Sequence, residues 1–461
     1  MNNKKYYILL ILGILVTPFY MNFNNSKYNE IQPSKLTKLS NSSSVQWNTT
    51  WGGAENDWAS GLVLDSLGNA YVAGSTASFG GTGFNMSLVK FNITGGVEWY
   101  KIWGGKRVVF GRAMASDMLG NIYVSGEISG YGAGSYDICL VKFNSTGDVE
   151  WNSTWGGINE DFGSAITLDS SGNIYVAGAT LNFGAVSSDM CVVKFNSTGG
   201  VEWNNTWGGN DWDTGNAITV DSLGNSYVTG YTTNILTGDK DMSLVKFNST
   251  GGVEWNYTWG GSNNDGGFGI ILDVSGNIYI SGSTEDNIVG DADICLVKFN
   301  STGGVEWNST WGGVNNDFGS GIIQDPLGNF YVTGTTDNFG AVNTDMCVIK
   351  FNPIGVVEWN CTWGGNAYDV GYAINLDSLG DVYVAGNTES FGVVNTDIFL
   401  VKFKLSSGGE VIPDIPNPDP IINGGEKIPG YDFFMLLGIT FVISTLILWR
   451  QWRLGKKSLI N

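Results

Sequence analysis

Short apolar-polar alternations recur along this chain, separated by turn chemistry. In one stretch, "FGSAITLD" (162–169) alternates, "SSGN" (170–173) supplies turn residues, and "IYVAGAT" (174–180) is rich in β-branched and aromatic side chains, which predicts a β-hairpin. "MCVVKFN" (190–196) follows, with Cys191, Val193 and Phe195 on one face and Met190, Val192 and Lys194 on the other. The turn "STGG" then leads to "VEWNNTW" (201–207). Four short antiparallel strands are predicted here, and no helical period appears.

The same pattern returns every 52 residues. The second tryptophan of the motif falls at Trp51, Trp103, Trp155, Trp207, Trp259, Trp311 and Trp363. Seven copies fill residues 45–403, and "VEWNSTWGG" at 149–157 is repeated letter for letter at 305–313. A fixed period of this size marks one supersecondary unit packed on its own copies. Four strands in 52 residues fit one blade of a propeller, so the expected fold is all-β: a seven-bladed β-propeller of four-stranded antiparallel blades. Of the 18 tryptophans, 14 lie at two positions of the fourth strand, four residues apart; on one face, they are expected to cover the flank of the neighbouring blade. The first copy begins at strand four and the last ends after strand three, so the N-terminal strand is expected to complete the last blade and close the ring.

The units "DSxGNxYVxG", "LVKFNxTG" and "VEWxxTWGG" resemble the SBBP family of bacterial and archaeal β-propeller repeats, over all seven copies. That resemblance implies a propeller, mostly extracytoplasmic, with no common activity.

Composition sets the context. With 461 residues, 42% hydrophobic and 67 glycines, the chain can bury a large, turn-rich β core. A net charge of −20 excludes a basic footprint for nucleic acid. Residues 1–25 read as a signal segment, with Lys4 and Lys5 before the apolar run "YYILLILGILVTPFY" (6–20). Residues 26–44 form a linker, 404–431 a Pro/Gly-rich tether, 432–449 a transmembrane segment and 450–461 a basic tail. The cationic flank "RQWRLGKK" places the C-terminus in the cytoplasm and the propeller outside, on the cell surface. "PGYD" (429–432) before this span resembles archaeal C-terminal sorting signals of the PGF type, with Tyr431 in place of phenylalanine; the resemblance implies removal of the span and lipid attachment, and a plain membrane anchor is the alternative.

Thirteen Asn-x-Ser/Thr sequons lie in the region expected to be exported, after the signal segment, including Asn41 and Asn85. The other eleven recur at two repeat positions: Asn92, Asn144, Asn196, Asn248 and Asn300 in the turn after strand three, and Asn48, Asn152, Asn204, Asn256, Asn308 and Asn360 in strand four. Export makes them glycosylation candidates; the alternative is that Asn and Thr suit turns and strand edges. Of five cysteines, Cys139, Cys191, Cys295 and Cys347 share one strand-three position, and free core thiols are expected.

Histidine is absent, which removes the commonest general base and metal ligand. No P-loop, paired catalytic carboxylates or CxxC is present. One repeat breaks the pattern: the Asp six residues after the second tryptophan becomes Val109, within "GGKRVVFGR". Lys106, Arg107 and Arg112 of that segment are candidates for an anion-binding spot, with local drift as the alternative. Carboxylates also gather at the variable-loop end, as Asp161 with Asp189 and Asp317 with Asp345, where oxygen-rich loops could hold Ca²⁺; no other cofactor is implied. The expected function is a non-enzymatic binding, adhesion or envelope protein, with a protein or glycan ligand on the variable-loop face. The alternatives are an extracellular hydrolase or lyase with its site in the central channel, and a structural surface-coat component.

Overall fold

The computed structural model describes residues 45–404, apart from 131–133, 185–186, 235, 286–290 and 341–342. The signal, linker, tether, transmembrane and tail segments lie outside the described residues, save Lys404. Among those described, no helix is long and apolar enough to cross a membrane.

The described chain is 28 strands in seven four-stranded antiparallel sheets. The repeat read from the sequence gives Asp161–Leu168, Ile174–Thr180, Asp189–Phe195 and Val201–Trp207, paired in that order. Each sheet is one blade, numbered here from Asp57–Leu64, the innermost strand of blade one. The innermost strands touch one another in sequence around the ring. Blade seven is completed by Val45–Trp51, which pairs with Asp397–Phe403. The N-terminal strand therefore closes the ring, as the phase of the repeats predicts.

Seven apolar cores exist, and each lies between two blades. One joins Tyr123, Ile138 and Leu140 of blade two to Ile166, Val176 and Val193 of blade three; another joins Trp51 and Tyr383 of blade seven to Leu62 and Val72 of blade one. No blade buries its faces alone, so the ring is the folding unit.

The tryptophans act at these junctions. Trp151 lies edge-on to Tyr123 at 6.1 Å in its own blade and reaches the 3–4 turn of the next, where a Cβ on Gly199 would stand 2.9 Å from its ring. Gly199 also has φ +84°, so turn geometry and close packing both require glycine. Trp155 packs on Phe183 of the next blade, ring centroids 4.9 Å apart.

The turns between strands one and two behave as the sequence suggests. Asp169 Oδ1 accepts the backbone N–H groups of Ser171 and Asn173, and Oδ2 accepts Asn173 Nδ2 and Tyr175 OH. Burial alone would raise its pKa; these donors outweigh burial and hold it below the usual carboxylate value.

Candidate functional site

One position in each innermost strand escapes the ladder. Register shifts fall between Ala59 and Gly61, Gly111 and Ala113, Gly163 and Ala165, Gly215 and Ala217, Gly267 and Gly269, Gly319 and Ile322, and Gly371 and Ala373. Each is a β-bulge, which leaves a residue unpaired and turns its side chain away from the sheet. The residues so displaced are Ser60, Arg112, Ser164, Asn216, Phe268, Ser320 with Gly321, and Tyr372. Since the bulged strands are the innermost ones, these side chains ring the central channel. The backbone device is repeated seven times, yet the side chains diverge.

Arg112 is the charged member. Its Nε and Nη2 grip Glu127, with Nη2 to Oε1 at 2.6 Å and Nε to Oε1 and Oε2 at 2.9 and 3.2 Å. Glu127, in the second strand of the same blade, is 2% exposed, whereas the Arg112 side chain is 47% exposed. Burial pushes the Glu127 carboxyl up, and the guanidinium pulls it down. The guanidinium also lies 5.2 Å from the Phe110 ring centroid. Burial raises the hydroxyl of Tyr372 in blade seven, and the Arg112 charge lowers it in part. Ser60 Oγ and Asn216 Nδ2 each donate to a bulge carbonyl of the next blade, Gly111 O at 2.8 Å and Gly267 O at 3.1 Å. Phe268 and Tyr372 remain 40% and 41% exposed.

Around blades one to three, aromatic rings form a continuous belt. Trp58 stacks on Phe84 at 4.3 Å, Phe84 meets Phe110 at 5.1 Å, Phe110 meets Tyr136 at 6.4 Å, and Tyr136 meets Phe162 at 6.5 Å.

The three cations singled out in the sequence do not form one spot. Lys106 is exposed in the loop between blades, Arg107 Nη1 donates to the Gly130 carbonyl, and Arg112 stands in the strand Val109–Ser116 with its guanidinium taken by Glu127. Charge alone could not show this, because only the bulge turns Arg112 into the channel. The partner, Glu127, was missed in sequence. Its signal was available: the equivalent positions are Ser75, Ala179, Tyr231, Ser283, Thr335 and Asn387, so the one acid and the one base sit in the same blade.

The acid pairs also differ from those expected. Asp161 and Asp189 lie in one row of blade three, but Thr180 stands between them in register. Each meets an acid of another blade instead. A Cβ on Gly156 would collide with Asp137 Oδ1 and Asp161 Oδ2, and one on Gly208 with Asp189 Oδ1 and Asp213 Oδ2. Asp317 and Asp345 pair likewise across junctions, with Asp293 about Gly312 and Asp369 about Gly364. Asp161 Oδ2 accepts Gly157 N at 2.8 Å and Asn182 Nδ2 at 2.7 Å, and Oδ1 accepts Thr180 Oγ1. Such a carboxylate clasps the loop entering its blade, and its closeness leaves no room for a Cβ at the first glycine of "TWGG". Burial raises the carboxyls of Asp161 and Asp213, and those of Asp265 and Asp317 to about 6. Among the described residues no three acids or cysteines gather as a metal site. Two carboxylates per junction, one already holding three donors, fall short of the six to eight oxygens of Ca²⁺.

The blade-one to blade-two junction has lost both acids together. Asn85 stands for the strand-three aspartate and Val109 for the strand-one aspartate, and Asn85 Oδ1 accepts Gly105 N at 2.8 Å in their stead.

These features define a closed seven-bladed β-propeller with a diversified channel mouth. The SBBP family model, described as "Beta-propeller repeat", matches residues 46–80, 156–183 and 207–237. The chain is 24% identical over 200 residues to the regulatory protein FlaEY of Caulobacter vibrioides, an alignment covering 36% of this chain and 21% of that protein; the chain thus spans about a fifth of that relative's length. Among solved structures it is similar to the Pan2 WD40 domain of Neurospora crassa (TM-score 0.45, 9% identity, 74% of this chain and 88% of that one) and to Sqt1 of Chaetomium thermophilum (TM-score 0.44, 9% identity, 73% and 83%).

Proposed function

We propose that this propeller is a non-enzymatic binding protein whose ligand, a neutral glycan, sits at the channel mouth. The supporting observation is the bulge ring: seven equivalent positions carry serine, arginine, asparagine, phenylalanine and tyrosine, while their surroundings are copied. Hydroxyls, an amide and exposed aromatic faces are sugar-binding chemistry. The only charge pair there is internally neutral, so an anionic ligand finds no free cation in it.

A hydrolase or lyase would need an accessible acid or base. Glu127 is buried with both oxygens held by Arg112, which suits an anchor for the guanidinium better than proton transfer. The apolar runs at 6–20 and 433–449 and the basic flank support export and display from a membrane, with sugars on the outer strands.

The test is a titration of neutral oligosaccharides against the full chain and its Phe268→Ala, Tyr372→Ala and Lys106→Ala variants. Saturable binding weakened at least tenfold by the first two, and unchanged by the third, is the expected result. Equal binding by all would remove the channel from the account.

A further inference from the structure

The end of the ring opposite the inter-blade loops carries an unexplained row of apolar side chains. In the D-S-x-G-N turns the residue at x contributes only its backbone N–H, as Leu67 and Leu223 do to Asp65 and Asp221 Oδ1. Ser171 and Ser275 fill that place in blades three and five with the same hydrogen bond, so the turn has no need of an apolar side chain. Yet Leu67, Leu119, Leu223, Leu327 and Leu379 stand there 77–83% exposed, and blade five carries Val274 one place earlier, fully exposed. Six of seven blades thus hold up an apolar tip. Equivalent positions in a closed ring share a plane, so the tips present a flat array rather than a groove.

The same end is where the described chain starts and stops. Val45 pairs with Phe403, at the foot of strands four and three, level with the 3–4 turns; a Cβ on Gly68 would lie 3.6 Å from Ile93 of such a turn. Beyond Lys404 the sequence reaches the apolar run 433–449.

We propose that this face docks flat on a lipid bilayer surface, with the leucines entering the interfacial layer. A planar array of separated apolar tips suits a bilayer plane. A strongly acidic chain favours zwitterionic lipid over anionic lipid. Docking at this face also directs the channel mouth and variable loops away from the membrane. The proposal rests on the membrane display proposed above.

The test uses the full chain, Cys361→Ser, with an environment-sensitive fluorophore on Leu223→Cys or, at the opposite end, on Val314→Cys, floated with phosphatidylcholine vesicles containing brominated acyl chains. The expected result is flotation with quenching at 223 several-fold above that at 314. Replacing Leu67, Leu119, Leu327 and Leu379 by serine should abolish that quenching at an unchanged thermal midpoint. Flotation with equal quenching at both positions overturns the docking and leaves the anchor standing, whereas failure to float overturns both. A blue shift at 223 without vesicles, together with a doubled mass, would make the occupant a second copy and overturn the lipid assignment.

Discussion

At the residue scale, buried carboxyls meet across blade junctions, and the least supported is Asp137. It is 1% exposed and neither oxygen has a hydrogen-bond partner among the described residues, while it faces Asp161 across Gly156. Burial first, and the Asp137 charge in part, hold Asp161 above the usual carboxylate value. A carboxyl raised in the folded state contributes stability present below its unfolded pKa and lost as pH rises through the folded one. The raised Asp161 carboxyl therefore opposes folding at neutral pH and not in acid. Asp137→Asn, the residue found at Asn85, is expected to stabilise by about 1 kcal/mol at pH 7.5, the order of one screened like-charge contact. No gain is expected at pH 4. Thermal unfolding at the two pH values checks this, and an equal effect at both would refute the pairing. Free cysteines fit the same pattern: four are fully buried with thiols pushed far up by desolvation, and Cys361 is raised to about 12.

At the scale of strands and turns, the two sequon classes separate physically. In the 3–4 turn, Asn144 Oδ1 accepts the N–H groups of Thr146 and Asp148 and the Thr146 hydroxyl, so this asparagine is a turn device. Asn352 makes the same backbone bonds in "NPIG", where no sequon exists. Asn48, Asn152, Asn204, Asn256 and Asn308 stand exposed on the outermost strands and accept nothing essential to a turn. Sugar is expected on the strand-four asparagines and absent from the turn set, as glycopeptide mass analysis of native protein would show. Sugars on the turns would crowd the leucine face and contradict its docking. Closing the ring changed one element as well. Elsewhere a strand-three lysine pairs with a strand-four glutamate, such as Lys194 with Glu202 at 3.0 Å. In blade seven that glutamate is Gln46, and Lys402 turns instead to Asp377 at 2.9 Å and Asp381 at 3.1 Å. Asp381 occupies the place of the turn asparagine, restoring the charge balance.

For the whole molecule, the decisive bond is between its first and last strands. Removing Val45–Trp51 strips Asp397–Phe403 of its outer partner and Trp51 from the core shared by blades seven and one. A severe loss is expected, several kcal/mol, since the buried Trp51 alone is worth about 3–5 kcal/mol and the partly buried Trp47 leaves with it. Calorimetry of the truncated chain checks it; an unchanged melting temperature would mean that the ring is held by other means.

The sequence by itself determined the period, the strands, the turns and the phase that closes the ring, because these follow from local alternation, turn chemistry and counting. It also marked blade two as unlike the rest through Val109 and the arginines. Only the tertiary structure decided which residues meet. A β-bulge leaves no mark in an alternation of this length, so the channel positions stayed hidden, and Glu127, though marked in sequence as the one acid at its repeat position, was not tied to Arg112. Acids grouped by repeat number proved to be partners across junctions, because in a blade strand two intervenes and in the ring the nearest carboxylate belongs to the neighbour.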